Sequence, residues 1–274
     1  MSEDRVPHEP RRTEARNAKA RGLESFTTRQ ILELMNDEDA TVPAAVRTAL
    51  PAIERAVDEI VKAFGAGHRL RYIGAGTSGR LGVLDASEAP PTFGVEEDLV
   101  RGIIAGGEEA LRRSIEGAED ESSAGARAVR EHVRDGDVLV GISASGRAKF
   151  VTAGMVMARE IGARTVALTC DASSPLAKDA DIPIAIDVGP EVLAGSSRLK
   201  AGTATKLVLN MLSTAAMIRS GRTRGDLMID LRPTNAKLRE RAVRMVRDET
   251  GVSEDEARAR LEAAGWSVRK ALER

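Results

Sequence analysis

Three stretches of this 274-residue chain gather glycines and hydroxyl side chains in arrangements able to hold an anion. The first, Gly74-Ala-Gly-Thr-Ser-Gly79, fits the G-x-G-x-x-G spacing of dinucleotide-binding loops. That fingerprint also needs an acidic residue about 20 positions further on, to hold a ribose hydroxyl. Asp85 and Glu88 come too early for this and Glu108 too late. The hydroxyls suit other chemistry. Thr77 and Ser78 lie where the loop turns into a helix, so backbone N–H groups, two O–H donors and the positive helix end converge as a phosphate requires. The second stretch, Gly141-Ile-Ser-Ala-Ser-Gly-Arg147, repeats the device with Ser143, Ser145 and Gly146. The third, Gly195-Ser-Ser-Arg-Leu-Lys-Ala-Gly-Thr203, offers Ser196, Ser197, Arg198 and Lys200 ahead of a long apolar run.

These loops need a scaffold. Short β-branched runs at 69–73, 99–105, 137–142, 165–169 and 182–186 read as strands, with helical patterns between most of them. Strands apolar on both faces and alternating with helices predict an α/β fold, a three-layer αβα sandwich around a five-stranded, mainly parallel sheet. Both glycine–serine loops then emerge at the carboxyl edge, where such sheets bind ligands. A serine at a helix start can also be a plain cap, but two such loops on one edge favour a shared anion site. Upstream, a helix follows the Thr27 cap, and the helical pattern continues from Val42 through Phe64 until Gly65 and Gly67 close it. A long helix is predicted over 200–219, and the chain reads as helical from Thr234 to its end. Within 252–273, Ser253 and Glu256 form a capping box and Gly265 breaks a helical hairpin. The hairpin is somewhat similar to the ubiquitin-associated three-helix fold but short for it. It suits a helical cap on the main domain or on a second subunit, with a peptide-binding module as the alternative.

Composition narrows the function. Lys plus Arg (41) nearly balance Asp plus Glu (42), and aromatic residues make up only 2%, so the basic excess and stacking platforms of a nucleic-acid binder are missing. One cysteine, Cys170, and three scattered histidines, His8, His68 and His132, argue against a disulfide framework or a metal centre and point to a reducing compartment. No run of eighteen apolar residues and no secretory leader is present, so a cytoplasmic protein without a membrane span is expected.

The pairing of Y-I-G-A-G-T-S-G-R with G-I-S-A-S-G-R resembles the sugar isomerase (SIS) phosphosugar-binding domain. More narrowly, N-D-E-D at 36–39, L-D-A-S-E-A-P-P at 84–91, I-A-G-G at 104–107, E-G-A-E-D at 116–120 and the string at 196–214 resemble the N-acetylmuramic acid 6-phosphate etherase family. The likeness runs from about Thr13 to Arg274, with a shortened carboxyl-terminal helical part. It implies a homodimer that needs no cofactor or metal and cleaves the D-lactyl ether of its phosphosugar. By the resemblance, Glu88 is the catalytic acid, Glu119 the second catalytic carboxylate, and Ser78, Ser143 and Ser145 the phosphate-loop positions; elimination chemistry makes Glu119 the candidate base at C2, and the loops themselves add Thr77, Gly146, Ser196, Ser197 and Lys200 as candidate substrate contacts. The Pro90-Pro91 pair after Glu88 is expected to end a helix and leave that carboxylate at an element edge. Ala148-Lys149-Phe150 departs from the family's Thr-Pro-Tyr and removes a phosphate-binding hydroxyl, for which Ser143 or Lys149 could compensate. Asn17, in T-E-A-R-N, matches the family's amino-terminal T-E-x-x-N. The expected organisation is a flexible tail (1–12), an amino-terminal helical segment (13–66), the phosphosugar-binding domain (67–230) and a carboxyl-terminal helical region (231–274). A non-catalytic phosphosugar-sensing regulator and a phosphosugar isomerase are the alternatives, since both share these loops.

Overall fold

The computed structural model describes residues 12–231, 233 and 235–273, so the tail expected over 1–12 falls almost wholly outside the described residues. Five parallel strands, β1 (Leu70–Gly74), β2 (Val100–Ile104), β3 (Val138–Ile142), β4 (Arg164–Thr169) and β5 (Ile182–Ala185), pair in the order β2-β1-β3-β4-β5. Each lies within two residues of its predicted run. The order matters for function. After β1 the chain crosses to β2 on one side through α4 (Gly76–Phe93), then returns through α5 (Ser122–His132) to β3 on the other side. The loops leaving β1 and β3 therefore flank the point where winding reverses, the place where open α/β sheets bind ligands. Gly74 pairs with Ile142 across the two strands, so both loops start at one level on neighbouring strands, about 4.8 Å apart.

Alternate residues of each strand enter different cores. Leu70, Tyr72, Val138, Val140, Val166 and Ile184 face a layer built from α2 (Val42–Thr48), α3 (Leu50–Gly65), α4 and α8 (Lys200–Arg219). Ile73, Leu139 and Ala167 face the opposite layer of α5, α6 (Lys149–Ile161) and the short α7 (Pro175–Asp179). The three-layer αβα sandwich is thus present. α1 (Thr28–Asp39) opens with a full capping box between Thr27 and Gln30.

One helical boundary ahead of the sheet differs from expectation. The pattern expected to run unbroken from Val42 to Phe64 is two helices parted at Ala49. In one continuous helix Pro51 would remove a hydrogen bond and collide with a carbonyl of the preceding turn, whereas a fresh start at Leu50 puts it where no donor is needed. The carboxyl-terminal region is three helices, α9 (Ala236–Thr250), α10 (Glu254–Ala263) and α11 (Val268–Leu272), with the expected start behind Ser253 and the expected break at Gly265. Gly251 stops α9 in a left-handed conformation and Ser253 caps α10 by accepting from the Glu256 N–H. These helices bury Val246, Leu261 and Val268 with Ile229 and Leu231 in a core of their own. The unit is tied back through the Arg269 guanidinium, which donates to both oxygens of Asp230 at 2.7 Å and to the Gly221 carbonyl.

Candidate functional site

At the switch point, Gly74 and Gly79 press the start of α4 against the sheet. A methyl on Gly79 would lie 2.6 Å from Ile104 Cγ1 and 2.7 Å from the Gly74 carbonyl oxygen. Only hydrogen fits there, so the helix start can come down over the end of β1. The cap position is Ala75, whose side chain accepts nothing, and the first-turn N–H groups of α4 are left to whatever occupies the loop. The loop after β3 has the same construction. Gly146 bends at φ 63° and donates its N–H to the Ser143 carbonyl at 2.9 Å, its Cα packed against Ser174. α6 then begins behind Ala148, again without a side-chain cap.

The serines are therefore not serving as caps. Among the described residues, the hydroxyls of Thr77, Ser78, Ser143 and Ser145 make no hydrogen bond to the protein, although Ser143 is only 5% exposed. Two helix starts with open N–H groups and four free hydroxyls thus follow neighbouring strand ends, an arrangement suited to a phosphate. Thr77 also abuts the start of α8, since a methyl on Gly202 would sit 3.7 Å from its Cγ2 and 3.8 Å from the Ser197 carbonyl. Ser196 and Ser197, both half-buried in the turn before α8, thus border the same edge.

Glu119 belongs to this place. It lies in a single 3-10 turn, Ala118–Asp120, that packs on α6, and it lines a cavity of about 260 Å³ together with Ala75 and Gly76 of the first loop and Arg80 of α4. Lys149, where the family pattern has proline, reaches across so that its Nζ lies 3.5 Å from Asp120 Oδ1. The substituted position thus pairs with the segment carrying Glu119.

Glu88 does not belong to it within one chain. The proline pair expected to end its helix lies inside α4, which continues to Phe93 before Gly94 closes it at φ 64°. Burial of Ala86, Ala89 and Phe93 carries the last turn past the two missing donors. Glu88 is consequently a mid-helix side chain. Ten residues separate it from Ser78, about 15 Å of helix. It lines a different cavity of about 260 Å³, between α4 and α8, with Asp85, Lys206, Asn210 and Thr214.

Lys200 differs from expectation too. Lys200 is 3% exposed and its ammonium donates to Glu38 Oε2 at 2.6 Å, so its charge is matched inside the protein rather than held ready for a ligand. Glu38 also accepts from Lys19 Nζ and Asn17 Nδ2, both at 2.9 Å. The family's amino-terminal asparagine thus fastens its own segment onto α1 and α8. The start of α8 is covered by Glu191, whose two oxygens accept the Lys200 and Ala201 N–H groups at 3.0 Å. Burial alone would raise the Glu38 carboxyl, but the hydrogen bonds and charges of Lys200 and Lys19 overcome it and bring the pKa to about 2. Ionised Glu38 then stabilises the fold fully above about pH 5, and the contribution falls away as pH drops toward 2. A shift from 4.5 to about 2 corresponds to about 3 kcal/mol. Urea unfolding of wild type and Glu38→Gln is expected to show a gap of that order at pH 7 that narrows steadily below pH 4. An equal gap at both ends of the range would dismiss the ion cluster as its source.

A 2-1-3-4-5 parallel sheet with free-hydroxyl helix starts at its switch point is a doubly wound α/β domain with a candidate anion site, and the matching family patterns make it a SIS domain. The SIS-domain pattern matches residues 120–215, and that of the glucokinase regulatory protein N-terminal SIS domain matches residues 52–159. The phosphoheptose isomerase of Neisseria gonorrhoeae superposes with a TM-score of 0.54 over 69% of this chain and 98% of its own, at 18% identity, a likeness of fold. Closer relatives carry one name. The N-acetylmuramic acid 6-phosphate etherase of Jannaschia sp. (strain CCS1) is 53% identical over 261 residues, 95% of this chain and 83% of the relative. That of Symbiobacterium thermophilum is 52% identical over 260 residues, 95% of this chain and 87% of the relative. The chain belongs to the N-acetylmuramic acid 6-phosphate etherase family.

Proposed function

We propose that this protein cleaves the D-lactyl ether of N-acetylmuramic acid 6-phosphate with water, giving N-acetylglucosamine 6-phosphate and D-lactate. In a chain about half identical to named etherases over 95% of its length, the observation that carries this is Glu119 lining one cavity with Ala75 and Gly76, the residues just ahead of the Thr77–Ser78 hydroxyls. The free hydroxyls and N–H groups hold the phosphate. The sugar opens, and its C1 aldehyde acidifies the C2 proton while the lactyl oxygen sits β to it on C3. Glu119 takes the C2 proton, and the electron pair forms C2=C3 as the C3–O bond breaks. Glu88 gives a proton to the departing lactate oxygen. Water then adds to C3, and C2 regains a proton.

Within one chain Glu88 and Glu119 line different cavities, so the acid of one copy does not face the Glu119 cavity of the same copy. The working unit is a homodimer in which Glu88 of one copy completes the site formed by Glu119 and the loops of the other. Leu84, one turn before Glu88, and Ile218, on the same cavity, are 45% and 47% exposed, as an apolar subunit contact would require. Among the described residues no helix is long and apolar enough to cross a membrane. That, the one free and buried Cys170 and a phosphorylated substrate suit the cytoplasm. The test is to incubate the purified protein with N-acetylmuramic acid 6-phosphate and quantify D-lactate. Stoichiometric release is expected, and formation of a sugar isomer without lactate would favour an isomerase instead.

A further inference from the structure

The cavity beside Glu88 holds groups that the elimination chemistry has not used. Its α8 wall carries Lys206, Asn210 and Thr214, and Asp85 and Ser213 lie behind them. Asp85 is 6% exposed and already satisfied, accepting from the Tyr72 hydroxyl at 2.8 Å and the Ser213 hydroxyl at 3.2 Å. Burial pushes its carboxyl upward against those bonds and the Lys206 charge, which weakens it as a counter-ion. Lys206 Nζ stands 3.9 Å from Asp85 Oδ1, outside hydrogen-bond range. It donates to no described residue, and neither does the Asn210 amide or the Thr214 hydroxyl. A cation with only a long ion-pair contact, and an amide and a hydroxyl with no side-chain hydrogen bond among the described residues, therefore line the cavity that Glu88 lines.

What that space must hold follows from the leaving group. In a lactyl ether a single carbon separates the ether oxygen from the carboxylate. The group that protonates the oxygen and the group that holds the carboxylate must then line one small cavity. We infer that Lys206, assisted by Asn210 and Thr214, binds the lactyl carboxylate of the substrate and so selects the ether over phosphosugars that lack this arm. This rests on Glu88 being the acid at the lactyl oxygen. It places both charges of the substrate: the phosphate on the loops of one copy, the carboxylate on α8 of the copy that supplies Glu88. A cation opposite a carboxylate gives the stronger, charge-assisted kind of hydrogen bond.

A structural role for Lys206, as distant neutraliser of Asp85, makes a different forecast, and two measurements separate them. The first is steady-state lactate release from N-acetylmuramic acid 6-phosphate. The second is exchange of the C2 hydrogen of N-acetylglucosamine 6-phosphate with deuterated water, followed by NMR, which needs the phosphate loops and the C2 base but no lactyl contact. Lys206→Gln is expected to raise KM for the ether about 10- to 100-fold while leaving the exchange rate unchanged, and Lys206→Arg to recover most of the loss. Intact exchange also shows that the variant has folded. An unchanged KM, or an equal fall in both measurements, overturns the assignment. A wild type that exchanges but releases no lactate overturns the parent etherase reading instead, a result that variants at 206 do not mimic.

Discussion

Glu119→Gln is expected to lose lactate release by at least about a hundredfold, and Glu88→Gln by a similar factor, within the range that one positioned acid or base supplies. The amide keeps the shape of the carboxyl and removes its ability to carry a proton. Both side chains are exposed, and neither makes a hydrogen bond or ion pair among the described residues. Substitution at such positions changes stability by about 0.5 kcal/mol or less, so a loss of activity reports chemistry rather than unfolding. The two variants should fail differently in deuterated water. If Glu119 takes the C2 proton, Glu119→Gln loses both lactate release and C2 exchange. Glu88→Gln loses lactate release but still exchanges the C2 hydrogen of the unbroken ether, because the base works while the leaving group stays. The opposite pattern would interchange the two roles, and an active Glu88→Gln would remove that residue from the mechanism.

The amino-acid sequence shows the scaffold in detail and the assembly of the site only in part. Strands were legible because each is a short apolar, largely β-branched run followed by a turn rich in glycine, serine or proline, and a parallel sheet buries both its faces. α8 was legible from Lys200 to Arg219 because Gly195 and the serines precede it and Gly221 follows. The anion loops were legible because the demand is local: glycine for close approach, hydroxyl for donation, helix start for dipole. Proline was misleading in both directions. Pro51 divides an apparently continuous pattern, whereas Pro90 and Pro91 fail to divide one, and the difference lies in what each helix buries around them. The Lys200–Glu38 pair spans 162 positions, and no local rule distinguishes a lysine that meets a ligand from one that meets a distant carboxylate. The separation of Glu88 from the loops was within reach. A helix beginning at the third glycine-loop residue and still running at Glu88 must carry that side chain nearly three turns away.

That separation leads to the sharpest test of the assembly. Co-expressed Glu88→Gln and Glu119→Gln chains, each inactive alone, are expected to recover about a quarter of wild-type lactate release. In a two-fold dimer whose sites each draw Glu119 from one copy and Glu88 from the other, a mixed dimer holds one site with both lesions and one with neither. Random pairing makes about half the dimers mixed, and each has one of its two sites intact, hence about a quarter overall. If both glutamates of one site came from a single chain, every site would carry a lesion and the mixture would stay inactive. The reciprocal mixture checks the same point with the opposite sign. Equal amounts of wild type and a chain carrying both substitutions should retain about a quarter of the activity of an all-wild-type preparation if sites are shared, because every mixed dimer then has a lesion in each site. Self-contained sites would retain about half. The two mixtures together fix which copy supplies Glu88, and with it the copy whose Lys206 faces the lactyl carboxylate.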